Sequence, residues 1–580
     1  MASNDIRGAR MSRGDRRVLI ASSLGAVFEA YDFYLAGSLA VIISKQFFSG
    51  VNPGAAFVFT LLSFAAGFAV RPFGSIVFGR IGDRIGRKYT FLFTISLMGI
   101  STFLIGLLPS FSEIGIAAPI IFICLRLLQG LSLGGEYSGA ATYVAEHAPA
   151  AKRGAWTAWI QTPATLSLLL SLVIILGVRY VVGDDAFSAW GWRVPFLLSA
   201  VLLAASIWIR LKLRESPVFS RMKEQNKASR APLKEAFGQW RNLRLSLIAL
   251  FGLVAGQAVV LYTGQFYALF FLTQTLKVDM TTANILIGVA LIACTPFFIV
   301  FGVLSDLVGR KPVIMVGLLI AAFAYFPLFK GLTHYVNPAL EHALDQSPIE
   351  VVANPADCSF QFNPTGTAHF TSSCDIAKQA LATAGLSYRN VATADSSTAL
   401  IRVGADSVPA YAALSPRARE EAGRFTAALT EALSKAGYPR RADPAQINWG
   451  MTLLILICLG LLITATYGPV AAVLAEMFPT RIRYTAVSLP YNIGNGWFGG
   501  FLPATAFAIV AASGDIYAGL WYPVSLIVMT FLVGIVLLPE TKSTDLEAEP
   551  AFQPREPDNE KYRSKPGRSR SEINNGFRGL

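Results

Sequence analysis

Five charged side chains stand inside apolar runs of this sequence: Glu29, Asp32, Arg71, Arg126 and Glu136. A charge at a bilayer centre costs about 2.5–3.5 kcal/mol on insertion scales, so such residues mark proton, ion or substrate paths. Glu29 and Asp32 are three apart and share a helix face, where two ionised carboxylates repel. A dry site raises their pKa further, so one of them can load and release a proton near neutral pH. The structural alternative is an ion pair with an arginine of a neighbouring helix. Arg126, Gln129, Leu133 and Glu136 form one helical stripe. The Arg126 guanidinium is a fork for a substrate carboxylate, or a counter-charge for Glu29 or Asp32 when no substrate is bound. Glu136 is a second candidate proton carrier, or an anchor for its helix end. Arg71, before Pro72, is a substrate contact or a brace between the second and eleventh helices.

Tyr31, Gln129, Gln257, Tyr262, Gln265, Asn492, Asn495 and Trp497 are polar or aromatic residues in apolar helices. They are candidates for the lining of a substrate cavity, with inter-helix hydrogen bonds as the alternative. His147, His334, His342 and His369 all fall outside the apolar runs, which argues against a histidine relay. No metal spacing and no nucleophile–base set is visible. The expectation is therefore no enzyme, no metal and no cofactor, with the proton as coupling ion.

These residues need helices in a membrane to position them. The chain is 53% hydrophobic and 15% charged, whereas soluble chains carry about a quarter charged residues. Apolar segments run over roughly 18–43, 55–79, 89–110, 114–145, 154–182, 193–212, 246–275, 281–305, 312–332, 449–478, 484–511 and 519–539. Each is long enough to span. The first is too long for a signal-peptide core and is read as retained. The net charge of +13 lies mostly in loops. The linker 210–245 carries ten Lys and Arg and the C-terminal tail eight, whereas the short loops of the other side carry about four in all. This places both termini inside and accounts for the charge without nucleic acid. Cys124, Cys294 and Cys458 lie in apolar helices as packing residues.

Two stretches match across the chain. "GRIGDRIGRK" (79–88) returns as "GVLSDLVGRK" (302–311). Gly79, Gly82 and Gly86 permit tight turning and close approach, and Asp83 can accept from a helix N-terminus and from cations. Gly79, Asp83, Arg84, Gly86 and Arg87, with Gly302, Asp306, Gly309, Arg310 and Lys311, are read as a latch between two halves on the inner face. "EHAPAAKRG" is echoed by "EMFPTRIR", and "LRESP" by "LPETK". Asp83 and Asp306 are 223 residues apart, but Glu146 and Glu476 are 330 apart and Glu215 and Glu540 325. An insertion therefore enters the second half. The expected organisation is a basic N-terminus (1–17), a six-helix half (18–212), an inner linker (213–245), helices 7–9 (246–332), an outer insertion (333–448), helices 10–12 (449–540) and a disordered inner tail (541–580). The insertion reads as an α+β module with helices at 375–386 and 416–436 and strand-like runs "LSYRNV" and "ALIRVG". Cys358 and Cys374, on the oxidising side, are expected to pair.

Twelve helices in echoing halves with this duplicated motif resemble the major facilitator superfamily. "EAYDF", "RPFGSIVFGRIGDRIGRK" and "RLLQGLSLGGEYSGA" resemble its metabolite:proton symporters, carriers of shikimate, 2-oxoglutarate, citrate, proline and betaine. The chain departs from them at Ala30 and in the glycine-poor "WIQTPATLSLLL". The resemblance implies a bacterial inner membrane and an all-α fold. It also implies proton-coupled import of a small organic acid or zwitterion between the halves by alternating access. The lipid bilayer and a small metabolite are the expected partners, and the oligomeric state stays open between a monomer and an assembly. One alternative is a proton-driven exporter of drugs or metabolites, though the glycine-proline motif of such proteins is absent around Pro163. Another is a nutrient sensor using the outer module.

Overall fold

The computed structural model describes residues 27–546, except 28–29, 33–34, 36–38, 50–52, 212–216, 226–228, 230, 360–370, 395–397, 416 and 543. α1 is described in part and ends with Ala40–Phe47. α2 spans Pro53–Arg84, α3 Arg87–Leu107 and α4 Ala117–His147. α5 spans Pro163–Val182 and α6 Arg193–Leu211. In the second half α7 spans Trp240–Thr275, α8 Met280–Val308 and α9 Arg310–Val336. α10 spans Trp449–Met477, α11 Arg483–Val510 and α12 Ala518–Leu537. Among the described residues nine of these, α3, α4 and α6 to α12, are long and apolar enough to cross a membrane.

The helix ends differ from the sequence expectation in an informative way. α2 continues through Arg84, so Gly79 and Gly82 are helical and do not turn the chain. Only Gly86 turns it, with φ at 140°. In the second copy α8 carries Gly302 within its helix, and Gly309 turns the chain at φ 126°. The helical glycines serve close approach. A Cβ on Gly79 would stand 2.9 Å from the Thr485 Cα, and one on Gly82 2.5 Å from the Tyr484 ring. The expected helix 154–182 is interrupted. A short helix, Arg153–Ala158, precedes α5, which starts at Pro163, whose missing N–H suits a first helical position. α7 and α11 carry wide π-type turns at Thr263–Tyr267 and Gly494–Gly499, beside Tyr262, Gln265 and Asn495. Such turns recur at functional sites because they re-aim side chains.

The insertion folds on one face of the second half. Its sheet has strands β1 (Ile349–Ala353), β2 (Arg389–Ala392), β3 (Leu400–Val403) and β4 (Asp406–Pro409) in the order β2-β1-β3-β4. β1 pairs parallel with β2 and antiparallel with β3. Val351 and Ile401 face each other in the core, with helices Ser373–Thr383 and Ala418–Lys435 adding Leu381 and Phe425. The sequence signalled both helices, β2 and β3, and missed β1 and β4. Cys358 and Cys374 are bonded, with Cα atoms 5.3 Å apart. The module is tied to the end of the bundle opposite the duplicated motif. Tyr388 N–H donates to the Gly514 carbonyl (2.6 Å), and Ala442 N–H to the Lys277 carbonyl (3.1 Å).

Candidate functional site

On the motif face the halves are joined through a pseudo-twofold arrangement. Asp83, at the end of α2, accepts from the backbone N–H of Tyr484 (3.3 Å) and Thr485 (2.8 Å), at the start of α11. Asp306, at the end of α8, accepts from Gly154 (2.9 Å) and Ala155 (2.8 Å), at the start of the helix before α5. Each carboxylate meets the positive end of a helix in the other half. Two buried ion pairs flank these contacts. Arg483 meets Glu146 at 2.8 Å and Arg153 meets Glu476 at 2.9 Å. Arg310 joins the second set, at 2.6 Å from Asp306 and 3.2 Å from Glu476. Glu540 accepts from the N–H groups of Arg310 and Lys311, both at 3.0 Å, and so caps α9.

These contacts hold Asp83, Asp306 and Arg310 of the latch expected from the sequence and add residues to it. Among the described residues, Arg153 and Arg483 form ion pairs across the halves. Arg84 is exposed, and the Arg87 side chain lies outside the described residues. Residues placed in the disordered tail also belong to the latch. Thr541 donates to Glu476 (2.7 Å), the Thr544 carbonyl accepts from Arg153 (2.9 Å) and the Leu546 carbonyl from Arg483 (3.2 Å). The buried guanidiniums have donors left over after their carboxylates are met, and this strap supplies acceptors.

Deeper in, charged residues gather at the seam. Arg126 is 2% exposed and donates to Gln129 Oε1 at 2.6 Å. Gln129 passes a hydrogen bond to Thr102 of α3 at 2.7 Å. Asp32 and Arg71 both act electrostatically on Arg126. Arg71 lies 4.5 Å from the Phe68 ring centroid, and Phe68 packs edge-on against Tyr262 with centroids 5.9 Å apart, which brings α7 of the second half to the cluster. Asn495 reaches Gln257 at 3.5 Å, and Asn492 donates across the seam to the Gly134 carbonyl at 2.7 Å. Gln265 is buried on α7. Glu29 lies outside the described residues.

Two candidates point elsewhere. Tyr31 is buried in the core of the first half, and its hydroxyl donates to the Pro195 carbonyl at 2.8 Å. Trp497 is 43% exposed and bridges to the Ala69 carbonyl at 3.3 Å.

The structure adds a feature the sequence reading missed. Tyr137 of α4 stacks on Tyr491 of α11 with ring centroids 3.7 Å apart and planes 5° apart. Tyr467 of α10 lies 6.2 Å from Tyr137, and its hydroxyl is 2.6 Å from that of Tyr491. Gln161 donates to the Tyr137 hydroxyl at 2.7 Å. Glu136, the residue before Tyr137 on α4, is 4% exposed, and neither of its oxygens has a hydrogen-bond partner among the described residues. Tyr137 and Tyr467 stand nine residues before Glu146 and Glu476, so the repeat offset was the available signal.

Two echoing helical halves, latched on one face and enclosing a polar cluster at their seam, define a multi-pass membrane protein of the major facilitator fold. The proton:xylose symporter XylE bound to 6-bromo-6-deoxy-D-glucose has this fold, with a TM-score of 0.58 at 17% identity over 93% of this chain and 98% of that one. Residues 18–239 and 432–552 match the family described as "Sugar (and other) transporter", and the chain belongs to that family. It is a transporter family rather than an enzyme family. The chain is 36% identical to the Escherichia coli inner membrane metabolite transport protein YhjE over 56% of its own length and 75% of that protein. It is 36% identical to the E. coli shikimate transporter over 55% of its length and 72% of the relative. With the glycine betaine/proline/ectoine/pipecolic acid transporter OusA of Dickeya dadantii it shares 34% identity over 54% of its length, and it spans 64% of that relative.

Proposed function

We propose that this protein imports a small organic acid or zwitterionic metabolite together with protons, by alternating access across a bacterial inner membrane. The observation that carries the reading is the cluster of buried Asp32 and Arg126 with half-buried Arg71, whose guanidinium lies over the Phe68 ring that packs edge-on against Tyr262 of the second half. Arg126 offers donors to a substrate carboxylate. Asp32, with Glu29 and Glu136, supplies acidic groups that carry the proton. The excess of Lys and Arg in the motif-face loops puts that face in the cytoplasm. With the latch closed there, the present state is sealed toward the cytoplasm, and breaking it opens the path inward. The insertion then lies outside, where its disulfide is stable. Shikimate, proline and glycine betaine, taken from the names of the relatives, are the first substrates to test. Uptake into proteoliposomes with acid outside tests the reading. Gradient-driven accumulation abolished by Asp32→Asn supports it, and efflux driven by the gradient would favour an exporter.

A further inference from the structure

We propose that Glu136 is the residue that delivers the proton to the cytoplasm, and that the stacked tyrosines beside it are the gate that times delivery. The inference rests on the proton-coupled reading above and narrows it to one carboxyl and one barrier. Tyr137 lies eleven residues from Arg126 and ten from His147, about 16 Å and 15 Å along α4 at 1.5 Å per residue. The stack therefore lies midway between the charged cluster and the motif-face end of the helix. Its members come from α4, α10 and α11, with Gln161 from the segment before α5, so it crosses both halves. Two further contacts close the same stretch of α4. The Tyr484 hydroxyl donates to the Gly135 carbonyl (2.5 Å), and Asn492 donates to that of Gly134.

Glu136 lies inside this closed stretch. A carboxylate stripped of water needs donors, and among the described residues neither oxygen has one. Of the elements packed against α4 here, α2 brings Arg71, α10 brings Tyr467, and α11 brings Tyr484 and Tyr491. α3 brings Phe91, over whose ring the buried Arg210 guanidinium of α6 lies at 3.6 Å, and has Arg87, Lys88 and Tyr89 at its motif-face end. α1 brings Asp32, α2 also brings Asp83, which accepts from the Tyr484 and Thr485 N–H groups, and Gln161 is neutral. On α4 itself Arg126 and Glu146 lie two or more turns away, and Glu146 is matched by Arg483. No cation among the described residues donates to Glu136, and the side chain carries its proton while the seam is shut. When the halves part on the motif face, the tyrosines separate and water reaches Glu136. The O–H bond then breaks, its proton passes to cytoplasmic water, and the carboxylate is hydrated. The stack prevents that exchange from running without substrate.

The test uses the full-length protein in liposomes holding a pH-sensitive dye, with no substrate and an imposed pH gradient. Tyr491→Ala and Tyr137→Ala are expected to leak protons above wild type. Glu136→Gln added to either variant is expected to stop the leak. Tyr491→Phe, which keeps the stack but loses the Tyr467 hydrogen bond, is expected to leak less than Tyr491→Ala and guards against misfolding of the alanine variant. In a second arm, Glu136→Gln is expected to keep counterflow of radiolabelled proline, glycine betaine or shikimate while its pH-driven accumulation is lost. Alanine variants as tight as wild type, or a leak that survives Glu136→Gln, overturn the proposal. If wild type accumulates solute and Glu136→Gln does so equally, this inference alone fails. If wild type shows no pH-driven accumulation, the proposed function fails with it.

Discussion

Asp83 and Thr485, 402 residues apart, are joined by a hydrogen bond of 2.8 Å from the Thr485 backbone N–H to the Asp83 carboxylate. Asp306 repeats the contact with Ala155 at 2.8 Å, with the roles of the halves exchanged. Hydrogen bonds to a charged group contribute about 1.5–3 kcal/mol each. Asp83→Asn weakens both of its contacts, so the motif face should open about ten- to a hundredfold more often. A cysteine introduced as Ser488→Cys, buried beneath this latch, should be alkylated faster from that face in Asp83→Asn and in Asp306→Asn. Equal labelling in all backgrounds would contradict the latch.

The same opening is reachable without touching a charge. Gly82→Ala places a methyl 2.5 Å from the Tyr484 ring, too close to accommodate without a shift. The variant should separate α2 from α11 and raise Ser488→Cys labelling as Asp83→Asn does. Gly86→Ala acts differently, because φ at 140° suits only glycine. It should lower the melting temperature of the first half.

The strap 541–546 predicts a third effect. A chain ended after Lys542 loses the Thr544 and Leu546 carbonyls that accept from Arg153 and Arg483. The ion pairs remain, so the loss comprises two hydrogen bonds to charged groups, about 3–6 kcal/mol, together with the Thr480 hydroxyl's bond to the Leu546 carbonyl and the burial of the Leu546 side chain. Thermal unfolding should shift down, and removal of only residues 547–580 should leave it in place.

The bond between Cys358 and Cys374 closes a loop of 16 residues, worth about 3 kcal/mol in the chain-entropy account. Cys374 is fully buried, and its replacement by serine adds a buried hydroxyl. Cys374→Ser should admit protease within 349–448 at lower temperature. The helices of the first half, which make no part of this module's core, should keep their stability.

Much of this architecture was legible because buried charge is costly. Asp83 and Asp306 stand out as acids among apolar runs, and their spacing repeats. Their partners are backbone N–H groups at helix starts, which leave no side-chain signature. Arg153 and Arg483, Gly154 and Tyr484, and Ala155 and Thr485 all share the 330-residue offset of Glu146 and Glu476. Applying that offset to every residue, not only to charged ones, would have found Tyr137 and Tyr467. Tyr491 has no such signal, because its place opposite Tyr137 depends on how the halves meet. The module's edge strand β4 is four residues long and polar, too short for alternation to show.

Proton-driven accumulation of a carboxylate solute tests the central claim most directly. In proteoliposomes with the outside one pH unit more acid, the driving force is about 1.4 kcal/mol per proton, enough for up to about tenfold accumulation at one proton per solute. Wild type should accumulate shikimate, proline or glycine betaine toward that limit, Asp32→Asn should equilibrate without accumulating, and Arg126→Ala should lose uptake. Uptake by wild type that ignores the gradient, or accumulation that survives Asp32→Asn, would contradict the account.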